Sequence, residues 1–302
     1  MKDKNFRNLV RFIECSQKIV IGIGFKDPKE GKELYYNRKQ KFLLASVFKI
    51  PILIALYKQQ ELGKININDR YVIREKDIMR DTETQVGSGI IKELSPRIEM
   101  SIRDIAILMM TISDNNATDI IMRLVGSKNI KKTLKDLDSL DTQASVSTKD
   151  IVFSSIPEIT GNNYSTPEDM VKILDSLYTK TYLTKESCED IISIMKRCQT
   201  GLARIPKYLP IGVKVAHKTG TIFGPINAIN DSGIIFTRDR DYILSVFVSQ
   251  YNVREEGMSE LNEFNKNIDE VEFSDITKEV VLQAEETIAR ISKHIFNFLM
   301  RK

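Results

Sequence analysis

Strand-forming sequence stands at the two ends of this chain and almost nowhere between them. Residues 19–25 read Ile-Val-Ile-Gly-Ile-Gly-Phe, and residues 33–36 follow across the turn Asp27-Pro28-Lys29-Glu30-Gly31, which predicts two paired strands. Beyond Pro210 the pattern returns to strand over 212–221, 230–237 and 242–251, the last holding the β-branched and aromatic run of a buried strand. The middle of the chain has helical spacing instead. Distant strands can share one sheet only if the chain leaves it and comes back. The expectation is an α+β fold: an antiparallel five-stranded sheet packed by N- and C-terminal helices, beside an all-helical insertion. As domains, this gives a single unit over 1–302, with a sheet lobe of 1–44 and 212–302, a helical lobe of 45–211, and a site between the lobes.

Apolar periodicity predicts the helices. Phe6, Leu9, Val10, Ile13 and Cys15 mark an amphipathic N-terminal one. Others are expected at 102–113, 116–124, 128–137 and 183–198, and one opens at Thr166-Pro167-Glu168. The last, 276–302, carries Val280, Ala284, Ile288, Ile291, Ile295 and Leu299 on one face. Residues 69–96 are turn-rich around a short strand at Tyr71-Val72-Ile73, and 255–275 are acidic and irregular. Gly22-x-Gly24 has no helix after it, so it reads as strand glycine rather than a nucleotide loop.

The chemistry begins at Ser46. A small residue precedes it, and Val47, Ile50, Leu53 and Ile54 recur at helical spacing after it, which places Ser46 near a helix start with Pro51 tolerable in the first turn. Lys49 then shares its face one turn on. A hydroxyl is a weak nucleophile until a base takes its proton, and an amine in apolar surroundings beside other cations can be that base. Alone, Ser-x-x-Lys is also what a capping serine and a solvated lysine look like. Two further triplets follow in order, Ser113-Asp114-Asn115 after the apolar run 105–112, and Lys218-Thr219-Gly220 after Lys214-Val215-Ala216-His217.

Ser-x-x-Lys, Ser-Asp-Asn and Lys-Thr-Gly in that order resemble the penicillin-recognising serine hydrolases, class A β-lactamase branch. The resemblance extends through Gly87-Ser88-Gly89-Ile90, Arg204-Ile205-Pro206 and Asn230-Asp231-Ser232-Gly233, and leaves only about 252–280 without a counterpart. It implies that Ser46 is the nucleophile of an acyl-enzyme, Lys49 its base or relay, and Ser113 a proton donor to the leaving nitrogen. Asn115 would hold Lys49 and a substrate amide. Lys218 and Thr219 would take a substrate carboxylate, Gly220 would leave room for substrate, and the backbone amides of Ser46 and Thr221 would form an oxyanion hole. Asp114 reads as a helix cap, and His217, by strand alternation, as a structural residue turned away from the cleft.

The family also carries a glutamate, with an asparagine four residues later, that positions the deacylating water. Glu158 and Asn162 have that interval, but Glu158 follows Pro157 and stands only nine residues before Pro167, which requires a shortened loop. By its interval Glu158 is the candidate base, its placement favours the reading of an ordinary loop acid, and Asp150 is a weaker competitor. Three functions remain open: a β-lactam hydrolase, a related DD-peptidase or esterase that β-lactams acylate and that deacylates slowly, and a catalytically silent binding protein.

Composition narrows the partners. A net charge of +4 spread through mixed charges gives no argument for nucleic acid. The expected partner is a small β-lactam, peptide or ester, bound by a monomer, with no cofactor and no metal-ligand spacing. Cys15, Cys188 and Cys198 are an odd number and read as free thiols. With no secretory or membrane-spanning run, the chain as written reads as cytoplasmic, or as extracytoplasmic if a leader has been removed.

Overall fold

The computed structural model describes residues 4–79, 88–95, 97–153, 161–251 and 270–300. Helix α1 (Lys4–Gln17) leads into β1 (Val20–Asp27), β2 (Lys32–Tyr36) and the two-residue β3 (Phe42–Leu43). A short 3-10 turn, Ala45–Phe48, then opens α2 (Lys49–Glu61). The middle of the chain holds β4 (Arg70–Val72), β5 (Glu99–Ser101), α3 (Ile102–Thr111), α4 (Asn115–Val125), α5 (Ser127–Asp136), α6 (Thr148–Phe153), β6 (Tyr164–Ser165), α7 (Pro167–Thr179) and α8 (Lys185–Met195). It returns through β7 (Lys214–Ile222), β8 (Ile226–Phe236) and β9 (Tyr242–Tyr251), and α9 (Glu270–Met300) follows.

The five long strands form one antiparallel sheet in the order β2-β1-β9-β8-β7. Both ends of the chain thus enter one sheet, as the sequence pattern requires. Strand β9 is central, and its alternate side chains divide between two cores. Ile243 and Phe247 join the cluster built with α2, α3, α4, α7 and α8, while Tyr242, Leu244, Val246 and Val248 join the cluster under α1 and α9. The stripe expected on the last helix is in place, with Ala284, Ile288, Ile291, Ile295 and Leu299 all buried in that second cluster. Helix α2 is apolar all round and buried from Lys49 through Tyr57, which makes it the spine of the helical packing. Gly24 lets β1 lie directly on α7, since a Cβ there would meet the Pro167 carbonyl oxygen at 2.5 Å.

Several boundaries differ from expectation for identifiable reasons. Ser46 lies in the 3-10 turn rather than in the α-helix, which starts at Lys49. Helix α8 is shorter than 183–198, because the Thr184 hydroxyl caps it by accepting from the Ser187 amide and its last turn closes at Met195. Helix α9 begins at Glu270, inside the stretch read as irregular, since charged residues oppose packing but not helix formation. The short strand expected at 71–73 is present as β4, shifted by one residue and paired with β5, whereas β5, the β3–β6 pair and the helix α6 are too short to show a period in sequence. Leu9 and Cys15 are exposed, so the buried stripe of α1 is narrower than predicted. Thr166 caps α7 and Pro167 opens it, as read. The three cysteines are free.

Candidate active site

Lys49 is the most consequential side chain in the molecule. It is fully buried, and its Nζ donates to the Ser113 carbonyl oxygen at 2.8 Å, to Ser113 Oγ at 2.9 Å and to Asn115 Oδ1 at 3.2 Å. Burial holds its pKa well below the ordinary lysine value, and the nearby charge of Lys218 pushes the same way. A buried amine with three acceptors and a neighbouring cation is suited to take up and release a proton. Ser46 precedes it by one turn, half-buried at the start of the packed helix.

Two backbone devices hold this geometry. Ala45 and Ser113 both adopt left-handed conformations, with φ of 43° and 61°. Each costs on the order of 1–3 kcal/mol for a residue other than glycine, and surrounding contacts must fix them. Asp114 supplies such contacts around Ser113. Its Oδ1 accepts from the Ala117 amide at 2.9 Å, capping α4, and its Oδ2 accepts from the amides of Ile90 and Ile91 at 2.7 and 2.8 Å. The Ser88 hydroxyl donates to the Ser113 carbonyl at 2.8 Å. Gly87 of the same loop lies outside the described residues.

Lys218, Thr219, Gly220 and Thr221 stand on β7, the edge strand of the large sheet. The strand lies directly against the Ser46 turn. A Cβ on Gly220 would meet the Leu44 carbonyl oxygen at 2.4 Å, Ala45 Cβ at 3.0 Å and the Ser46 amide nitrogen at 3.0 Å. Because the clash is with backbone, Gly220→Ala is expected to destabilise the fold by about 1–3 kcal/mol and to displace the turn that carries Ser46. Thermal unfolding measured beside activity checks this; an unchanged melting temperature with full activity would contradict the close approach. Lys218 is fully buried and donates to the Thr219 carbonyl at 2.9 Å. Burial, with the charge of Arg204, lowers its pKa to about 8 against the opposite pull of Cys198 and Asp231.

The described residues expected to act together are therefore brought together from the Ala45–Phe48 turn, α2, the α3–α4 junction and β7. Glu158 lies outside the described residues. Its companion Asn162 is buried, and Asn163 beside it accepts a hydrogen bond from the Leu44 amide at 2.9 Å, while β6 pairs with β3. Residues 163–165 are thus tied to the strand that leads into Ser46. Asp150 bonds with Ser147, just ahead of α6: its amide donates to Ser147 Oγ at 3.1 Å and its Oδ2 accepts from that hydroxyl at 2.7 Å.

Three residues with no role assigned from sequence also build the site. Buried Arg204 donates to the carbonyls of Gly220 and Asn230 at 3.0 and 2.8 Å and to Thr221 Oγ1 at 2.5 Å, which fixes the edge strand. The Thr200 and Thr219 hydroxyls are 2.6 Å apart. Asn230 Nδ2 donates to the Leu43 and Leu44 carbonyls at 2.7 and 3.2 Å, locking β8 to the approach to Ser46. Arg204 and Asn230 lie in segments that carry the family resemblance, and that was their only signal. Isolated in sequence, none of the three has a spacing that marks it.

The sequence matches the family model described as "Beta-lactamase enzyme family" over residues 3–299. The chain belongs to the beta-lactamase enzyme family. Among curated relatives, it is 28% identical over 264 residues to Beta-lactamase VEB-1 of Pseudomonas aeruginosa, covering 85% of this chain and 83% of that one. It is likewise 25% identical over 244 residues to Extended-spectrum beta-lactamase PER-1 of Pseudomonas aeruginosa, covering 79% and 78%. A solved beta-lactamase from Chitinophaga pinensis DSM 2588 superposes with a TM-score of 0.80 at 25% identity, over 98% of this chain and 100% of that one. The family fold is thus present with its mixed layers and its five-stranded antiparallel sheet. No group of described His, Cys, Asp and Glu residues could hold a metal ion, and no described helix is long and apolar enough to cross a membrane.

Proposed function

We propose that this chain is a serine beta-lactamase of class A type, a single catalytic domain over 1–302 that opens the β-lactam amide through an acyl-enzyme on Ser46. The observation that carries the reading is the buried Lys49 amine, bonded to Ser113 and Asn115 and one turn from Ser46. In this reading Lys49 accepts the Ser46 proton as Oγ attacks the lactam carbonyl, and the amides of Ser46 and Thr221 receive the oxyanion. The C–N bond then breaks, and Ser113 Oγ hands a proton to the leaving nitrogen while Lys49 replenishes it. Lys218 and Thr219 hold the substrate carboxylate, and Asn115 orients a substrate amide.

Deacylation requires a base for the incoming water. Glu158 is the candidate, supported by the interval to Asn162 and by the anchoring of Asn163 beside Leu44. With a chromogenic cephalosporin, Glu158→Gln is expected to lower turnover by about 10²- to 10⁴-fold. Acylation would stay fast, so the covalent form would accumulate. Turnover unchanged in this variant would remove Glu158 from the mechanism. In the unaltered protein, rapid hydrolysis supports the beta-lactamase reading, a lasting adduct without turnover would favour the peptidase or esterase reading, and no adduct would favour the silent one.

A further inference from the structure

Away from Ser46, a groove of about 850 Å³ lies between the end of α8, the start of β7 and the end of β8. Its floor is apolar. The rings of Tyr178 and Phe236 are tilted against each other 6.4 Å apart, and buried Ile192 of α8 adds an aliphatic wall. Its rim is basic. Lys214 is the register partner of Phe236 across β7 and β8, and directly opposed residues carry their side chains on one face of a sheet. Lys196 Nζ stands 3.9 Å from the centre of the Phe236 ring. Arg197 follows it in sequence, and Lys180, the residue that ends α7, stands on the other side.

These cations are not balanced by their surroundings. Among the described residues that line the groove Glu189 alone is acidic, and Lys180 already holds it at 2.8 Å. Asp241 accepts from the Tyr178 hydroxyl at 3.2 Å and from the Thr237 amide at 2.9 Å. Asp190, whose charge is felt by Arg197, is bonded to Arg103 and Tyr57. Among the described residues, no hydrogen bond or ion pair occupies the side chain of Arg197 or Lys214, and Lys196 has only the ring. Cations just past a helix end answer the helix dipole, which accounts for Lys196 and Arg197 taken alone. It does not account for Lys214, which comes from a strand and stands beside the same ring.

We propose that this groove binds a small amphipathic anion, with an aromatic body on Phe236, Tyr178 and Ile192 and a carboxylate, sulfonate or phosphate held by Lys196, Arg197 and Lys214. Both halves of such a ligand are needed. Exposed cations alone are screened and bind an anion weakly, while the apolar floor supplies contact area but no choice of charge. The groove is separate from the catalytic site, since Lys214 precedes Lys218 on β7 by four residues, about 13 Å along an extended strand. It therefore stands or falls independently of the acyl-enzyme reading.

The test titrates the full chain with an anilinonaphthalene sulfonate, an aromatic anion whose fluorescence reports binding, beside its neutral counterpart phenylnaphthylamine. The expected result is saturable binding of the anion that weakens severalfold between about 0.05 M and about 0.5 M salt. In the double variant Arg197→Gln, Lys214→Gln it should weaken by about tenfold, while the neutral compound loses little. Both side chains are exposed, so the melting temperature should not move. The rival apolar surface is the groove between α1 and α9, where Phe12 is exposed, and Phe12→Ser should leave the anion's affinity unchanged. On the unaltered protein, proton–nitrogen correlation spectra should show amide shifts centred on 192–197, 214 and 236, which locates the anion without any variant. Full affinity in the double variant, an equal loss for the neutral compound, or shifts centred on α1 and α9 would each overturn the proposal.

Discussion

Replacing Ser46 by Ala is expected to lower the hydrolysis of a chromogenic cephalosporin by about a thousandfold or more, while leaving the melting temperature nearly unchanged. The size follows from the mechanism proposed: without Oγ there is no acyl intermediate, and only carbonyl polarisation and binding remain. The small effect on stability follows from the place of the residue. Ser46 is half-buried in a 3-10 turn whose packing is supplied by its buried neighbours Val47 and Phe48, and by the close approach of Gly220. Steady-state kinetics and calorimetry on the purified variant separate the two. Substantial retained turnover would remove Ser46 from the mechanism, and a large fall in melting temperature would mean that the loss is structural.

Substitution of Lys49 by Met should be nearly as damaging to acylation, by about 10²- to 10⁴-fold, because it removes the base and leaves Ser113 Oγ and Asn115 Oδ1 without their donor. The pH profile makes the prediction sharper. Lys49 must be neutral to accept a proton, and its pKa lies well below the usual lysine value. Activity should therefore fall as pH drops through that lowered value. Lys218 must be charged to hold a carboxylate, and its pKa is lowered to about 8. Activity should fall again as pH rises through about 8. The profile of kcat/KM is then a bell whose acid limb belongs to Lys49 and whose alkaline limb belongs to Lys218. A flat profile across neutral and mildly alkaline pH, or an acid limb that persists unchanged in Lys49→Met, would contradict the assignment.

The architecture was legible because its signals are periodic and long. Residues 242–251 face two cores and so show as a continuous β-branched and aromatic run, while the final helix keeps one apolar face from Val280 to Leu299 that its spacing reveals. The central sheet required only that strands at opposite ends of the chain meet. Short elements were not legible, since Phe42–Leu43 and Tyr164–Ser165 are too brief for any period and exist because they pair with each other. The three motifs marked Ser46, Lys49, Ser113, Asn115 and Lys218 through order rather than composition. The supporting residues were invisible for a physical reason. Arg204, Asn230 and Thr200 act by reaching backbone carbonyls and hydroxyls distant in sequence, and such contacts leave no local pattern. His217 was read as a structural residue. It is buried on β7, and its Nδ1 bonds to Asp231 on the neighbouring strand.

The central claim is that one serine hydroxyl becomes covalently bonded to the opened lactam. Intact-protein mass spectrometry after brief mixing with a penicillin, followed by mapping of the modified peptide, tests it most directly. Ring opening expels no fragment, so the expected result is a gain of one whole penicillin, located on the peptide that contains Ser46 and absent from Ser46→Ala. A protein that hydrolyses the drug while its mass stays unchanged under rapid quench, or that carries the adduct on another residue, would contradict the account.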